Sequence, residues 1–218
     1  MINSLKIPHL LIGFLLVANL CFPVNAAAGI HEDLLWAVED NNATDLAKLL
    51  AKGADPNTLD KRGNTLLMIA VQNKGSNLVR LLLEAGANPN LRNHYGETAI
   101  MLASYHGEAG MTKQFHTKGA EINHRGWNPL IYAATKGHTE IVEMLLGVGA
   151  KIDSTSDNGT TALMMAARGN HVDAVKLLLK NGANPNIQNE SGGTALSFAL
   201  SREHLEVAKL LQNNGSTY

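Results

Sequence analysis

The chain has 218 residues, a formal net charge of −1 and a pI near 6.8. That is long enough for one domain with a substantial core, and it lacks the basic excess of a general nucleic-acid binder. Aromatic residues make up only 5% and glycine is abundant at 20 residues, a balance that suits tightly turned helical repeats better than a large aromatic-cored enzyme.

The first predicted element is a leader over residues 1–26. Lys6 is its only Lys, Arg, Asp or Glu, and "LLIGFLLVANLCFPV" and then "NAAAG" follow. A basic start, a short apolar run and a small-residue site form the pattern of a secretory signal, with Val24 and Ala26 at −3 and −1 if cleavage falls after Ala26. The alternative is a retained N-terminal anchor, although the run is short for a membrane span. Cys21, the sole cysteine, follows Leu20 rather than the small residue a lipoprotein signal needs. Cleavage would leave a chain of net charge −2 with no thiol nucleophile, disulfide or cysteine zinc site. The mature product is expected in a periplasm or outside the cell.

The remainder repeats itself. Gly-Ala pairs begin at Gly53, Gly86, Gly119, Gly149 and Gly182, and Gly215 precedes Ser216, so the period is 33 except for one step of 30, from Gly119 to Gly149. A second column reads "TLLMIA" from Thr65, "TAIMLA" from Thr98, "NPLIYA" from Asn128, "TALMMA" from Thr161 and "TALSFA" from Thr194, with a degenerate "EDLLWA" from Glu32. Threonine ahead of four of these runs, at 65, 98, 161 and 194, predicts a helix N-cap. Ala70, Ala103, Ala133, Ala166 and Ala199 predict close helix approach. Leu49 and Leu50, Leu82 and Leu83, Leu145 and Leu146, and Leu178 and Leu179 predict the apolar stripe of a second helix, ended by a left-handed glycine. One such pair cannot cover its own apolar face, so the stacked array is the stable unit.

These phrases resemble the ankyrin repeat, D-x-x-G-x-T-P-L-H-x-A-A…G-H…V-x-x-L-L-x-x-G-A-D-x-N, over nearly all of the chain after the leader. The resemblance implies an all-α repeat solenoid of six stacked helix-turn-helix units with β-turn fingers. The domain would span 27–218, with repeats near 29–60, 61–93, 94–123, 124–156, 157–189 and 190–218.

Departures from the phrase carry information of their own. The histidine column after T-P-L reads Leu35, Met68, Met101, Ile131, Met164 and Ser197, so packing replaces its hydrogen bond, and the methionines read as interior filler rather than metal ligands. His138, His171 and His204 match the G-H of the phrase and read as residues closing an inter-helix turn. Thr112 stands where valine is usual, His116 where leucine is usual, and Gly110 lies near the start of the same helix, so this second helix of the third repeat is expected to be the weakest. The short step follows at once, in "EINHRGWNPL", Glu121 to Leu130.

By resemblance, a partner would meet the concave side, made of finger tips and the exposed edge of the first helices. Mapped there are Arg62 in repeat two, His94, Tyr95, Tyr105 and His106 in repeat three, and His124, Arg125 and Trp127 in repeat four. These eight are the candidate partner-binding residues, since Trp, Tyr and Arg dominate interface energetics. Trp127 has a second reading, as a plug for the three missing residues. Lys61, Arg62, Arg125, Lys136, Arg168 and Arg202 outnumber Glu97, Asp157 and Glu190 on that surface, which points to an acidic partner. Zinc or copper on His94, His106 and His124, with His116, would lack a regular ligand motif. No GxSxG, HExxH or phosphate-cradling loop is present, and the regular repeats leave no insertion long enough for an active site. The expectation is therefore a monomeric, non-catalytic protein-binding module without cofactor, nucleic acid or, after cleavage, membrane contact. Small exported ankyrin proteins of bacteria look similar in layout, and by that resemblance the role would be toxin neutralisation or stress tolerance.

Overall fold

The computed structural model describes residues 24–217; the expected leader lies outside the described residues except for its last three positions, which begin the first helix. Six antiparallel helix pairs follow one another: α1 (Val24–Glu39) and α2 (Ala43–Ala51), α3 (Leu66–Gln72) and α4 (Ser76–Glu84), α5 (Ala99–His106) and α6 (Ala109–Thr117), α7 (Pro129–Lys136) and α8 (Thr139–Gly147), α9 (Ala162–Arg168) and α10 (Val172–Lys180), α11 (Ala195–Leu200) and α12 (Leu205–Asn213). The first helices of neighbouring repeats pack against one another more closely than the second helices do. An array built this way bends toward its first helices, which therefore line the inner face.

The column rules have direct physical counterparts. The hydroxyls of Thr65, Thr161 and Thr194 accept from the amides of Met68, Met164 and Ser197 at 3.1–3.2 Å, starting α3, α9 and α11. The five column alanines are fully buried, where any larger side chain would push the helices apart. The interior methionines do more than fill space: the sulfurs of Met101 and Met164 accept from the amides of Thr98 and Thr161 at 3.2 and 3.4 Å, standing in for an oxygen acceptor. In α6 the buried anchor is Phe115, the largest fully buried side chain among the described residues, beside a buried Thr112 whose hydroxyl bonds the carbonyl of Glu108 at 2.9 Å.

One ladder of side-chain bonds ties the repeats together, and a second set closes the fingers from within. In the loops, Asn90 donates to the carbonyl of Gly119 and accepts from the amide of Glu121; Asn123 does the same with Gly149 and Lys151, and Asn186 with Gly215 and Thr217. In four of the five fingers, one short polar side chain closes the tip. Asp60 accepts from the amides of Arg62 and Asn64, Asn93 from Tyr95 and Glu97, Ser156 from Thr160, and Asn189 from Ser191 and Gly193. Burial alone would raise the pKa of Asp60, but the bonds from Asn64 and Arg62 outweigh it and hold the carboxyl below its usual value. The fourth repeat has no such residue, because the three missing positions include it. The loop ladder runs unbroken past this point, and α5 packs closely on α7 across it, while the buried apolar side chains gather in two groups, Leu34 to Ala120 and Leu130 to Leu211, with Ile122 packed against both.

Candidate aromatic interface on the inner face

The residue just before each column alanine, and before Ala37 in the first repeat, meets the fingers wherever its contacts are seen: Trp36 and Ile69 border the second finger's hollow, Tyr132 bonds Glu97 and Phe198 lies beside Gly193. This column reads Trp36, Ile69, Leu102, Tyr132, Met165 and Phe198. Ile69, Leu102 and Met165 are nearly covered by neighbours, Tyr132 and Phe198 are half-buried, and Trp36 is 60% exposed. Together they form an apolar spine between the finger row and the C-terminal edge of the first helices.

At the third and fourth repeats the spine widens into a row of rings. Tyr132 meets Trp127 edge-on with centroids 5.3 Å apart, and meets Tyr105 in the same way at 5.8 Å. His106 lies edge-on to Tyr105 at 5.4 Å, and the Lys136 ammonium sits 4.6 Å over the Tyr105 ring. The Tyr132 hydroxyl donates to Glu97 Oε1 at 2.9 Å, while Asn93 donates to the other carboxylate oxygen at 2.9 Å. Burial first, and then the hydrogen bond to the Glu97 carboxylate, raise the Tyr132 pKa far above its ordinary value, so the phenol stays a donor at any physiological pH.

Trp127 keeps 37% of its surface exposed, so it stands at the rim of the row rather than inside the seam. Other groups bridge the shortened finger. Gly126, at φ +82°, is buried against the Asp157 carboxylate, which lies 3.0 Å from where a Cβ would be. Asn128 replaces threonine and is buried; its carbonyl oxygen accepts from the Ile131 amide at 3.1 Å to cap α7, and its amide donates to Ser154 Oγ at 3.0 Å in the next loop. Pro129 follows at the first helical position, where it costs no hydrogen bond.

The other candidates are placed apart from the row. Tyr95 is 80% exposed at the tip of its finger, and His94 lays its ring over Gly63 of the preceding finger. Arg62 borders a hollow between the first two repeats with Trp36, Glu39 and Gln72, while Arg125 borders a shallow notch with Asp157 and Glu190. His124 does not join the inner face: it is half-buried at the loop end of the second helices, beside His116, Ile122 and Val148. Burial and then the charge of Arg92 lower its pKa; the Arg125 backbone and Glu121 pull more weakly the other way. Among the described residues, no three of His, Cys, Asp and Glu are grouped so as to hold a metal ion.

His138, His171 and His204 act between repeats rather than within a turn. Their rings bond the carbonyls of Tyr105, Thr135 and Ala167, each in the first helix of the preceding repeat, at 3.0 Å. Gly107, at φ +79°, makes room for one of these rings, since a Cβ there would stand 2.7 Å from His138. Reading the sequence missed Tyr132, the residue that joins Trp127 to Tyr105, and Trp36 on the same column. The signal was available in their register one position before the column alanine.

The stacked pairs, the closed fingers and the inner apolar spine define a helical repeat scaffold of the kind that presents a surface rather than a cavity. The chain belongs to the ankyrin repeat family: the model for ankyrin repeats (three copies) matches residues 34–125, 67–156 and 148–218. Among solved structures it is similar to the ankyrin repeat domain of Bcl-3, described as a unique member of the IkappaB protein family, at 30% identity and a TM-score of 0.75 over 85% of this chain and 86% of that one. It is also similar to the human ASB11 ankyrin repeat domain (27% identity, TM-score 0.77, 86% and 84% covered). An ankyrin repeat domain from Acinetobacter baumannii AYE is similar as well (29%, 0.74, 87% and 98%). No curated protein matches the chain. Ankyrin repeats are in general protein–protein interaction modules, and the fold is typically a non-catalytic scaffold.

Proposed function

We propose that this chain is an exported, non-catalytic scaffold that binds a protein partner on its inner face at the third and fourth repeats. The observation that carries the reading is the continuous row Trp127–Tyr132–Tyr105, edged by Lys136 and His106, at the one place where a finger is too short to screen it. Aromatic rings of this kind bury much area at low entropic cost, and a few such residues commonly supply most of an interface's energy. Lys136, Arg168 and Arg202 make no ion pair among the described residues, which favours an acidic partner and supports the toxin-neutralising version of the reading, in which the scaffold enters an acidic cleft.

The test starts from the protein as its host accumulates it. N-terminal sequencing after cell fractionation should show a periplasmic or extracellular product beginning at Ala27; a cytoplasmic product starting at Met1 would contradict export. Partners crosslinked to the wild-type protein should be lost with Trp127→Ala and with the pair Tyr105→Ala and Tyr132→Ala, at roughly 2 kcal/mol or more of binding energy for a true anchor. A partner retained at full affinity by both variants would refute the site.

A further inference from the structure

We infer that the partner contributes an acidic extended segment, anchored by an apolar or ring side chain at the aromatic row, whose carboxylates run along the first-helix edge toward the sixth repeat and not toward the first. This rests on the proposed function and adds to it a direction and a chemistry.

The inference starts from register. The exposed C-terminal edge of the first helices forms two parallel columns, Glu39, Gln72, Tyr105, Thr135, Arg168, Ser201 and Asp40, Asn73, His106, Lys136, Gly169, Arg202. Charge along this edge is therefore ordered: acidic in the first repeat, uncharged through the rings of the third, basic from the fourth to the sixth. Lys136 rests on Tyr105, and neither Arg168 nor Arg202 is paired with a carboxylate among the described residues. Helices packed side by side stand about 8–10 Å apart. A segment in the extended polyproline II form advances about 3.1 Å per residue with three residues per turn, so a carboxylate at every third position falls on one face about every 9 Å and would match Lys136, Arg168 and Arg202 in turn.

The rest of the face narrows the route. Across the groove the finger tips carry Asp157 and Glu190, which disfavour an acidic segment in the middle of the groove; on the edge itself Glu203 adjoins Arg202, so Lys136 and Arg168 carry most of the attraction. At the other end the helix edge itself is acidic through Glu39 and Asp40, and the cations of that hollow, Lys61 and Arg62, stand on the second finger beside Asp60 and opposite Glu32 and Glu39, so the edge there offers no attraction of its own. Complementary charge of this kind sets orientation and speeds encounter, whereas the rings supply the energy.

A phage-displayed library of random 12-residue peptides, selected on the immobilised whole protein, tests this directly. The expected winners carry a ring residue followed or preceded by two or more Asp or Glu on one side. The pair Arg168→Glu and Arg202→Glu should weaken the best of them at least 10-fold with unchanged circular dichroism, and Glu39→Lys with Asp40→Lys should leave it within 2-fold or strengthen it. In the mature chain, which has no cysteine of its own, a spin label on Lys209→Cys should broaden the signals of the peptide's acidic end, and one on Lys48→Cys should not. Winners without acidic residues, indifference to reversal of the two arginines, or an acidic end placed near residue 48 would overturn the inference. Loss of binding on reversing the arginines with none on Tyr105→Ala and Tyr132→Ala would instead refute the aromatic anchor; the reverse pattern would keep the anchor and refute the acidic rail.

Discussion

Tyr132 and Glu97 are joined by a 2.9 Å hydrogen bond that crosses from the fourth repeat to the finger of the third, alongside the shortened finger. The same carboxylate accepts from Asn93, whose side chain also donates to Asn64 in the finger before, so a single polar chain runs from the second finger to the aromatic row.

Tyr132→Phe removes the crossing bond and keeps the ring. A hydrogen bond to a charged acceptor is worth about 1.5–3 kcal/mol net, and the half-buried setting argues for the lower part of that range. Urea denaturation should show that loss, with the ring contacts to Trp127 and Tyr105 intact. The raised pKa adds a second check with a definite sign. Because the folded phenol holds its proton more tightly than the unfolded one, its contribution is complete below pH 10 and declines as pH rises beyond that. An alkaline absorbance titration compared with Tyr132→Phe should therefore show no Tyr132 phenolate at pH 11 while the protein is folded.

The architecture was legible in the sequence because it is written in spacing: a period of 33, capping threonines, column alanines and closing glycines each act locally and recur. Which side chains meet was less legible. Tyr132 sat inside a phrase read as core, yet its register put the ring toward the fingers. The resemblance maps His124 to the inner face, but with the finger shortened its ring falls at the loop end, beside His116 and Val148. Phe115 lies between Thr112 and His116, whose polarity marks this helix as weak in the sequence, yet its fully buried ring restores apolar burial there.

His124 should make stability depend on pH. Its pKa is lowered by burial and by Arg92, so on acidification the unfolded chain takes up a proton near the ordinary value while the folded chain still refuses it. Stability is then greatest above about pH 6.5 and falls as pH drops below that, until the folded imidazole also protonates. His124→Gln removes this contribution. The difference in urea midpoint between wild type and variant should shift toward the variant between pH 7 and pH 5; a constant difference would show that the histidine is not linked to folding.

Thr112→Val should stabilise the protein. The hydroxyl is wholly buried and bonds only a carbonyl of its own helix, an arrangement that bends helices slightly, while valine has the shape of the side chain it replaces. Removing a buried hydroxyl without orphaning a partner should gain up to about 1 kcal/mol. A higher thermal midpoint is expected. A lower one would mean that the carbonyl of Glu108 depends on that hydroxyl.

Asn128 tests whether the irregular finger is a repaired structure or a decayed one. Its side chain does two jobs, capping α7 through the Ile131 amide and donating to Ser154 in the following loop. Threonine, the residue used at this column in the other fingers, can do only the first. Losing the cap costs about 1 kcal/mol and losing the bond to Ser154 about another 1 kcal/mol. Asn128→Thr should therefore fall between wild type and Asn128→Ala in chemical denaturation. Were threonine to equal or exceed asparagine, the bond to Ser154 would contribute nothing and the departure from threonine would have no structural purpose. An intermediate value would show that the amide compensates for the finger residues this repeat lacks, by tying the start of α7 forward to the next loop where no side chain closes the tip behind it.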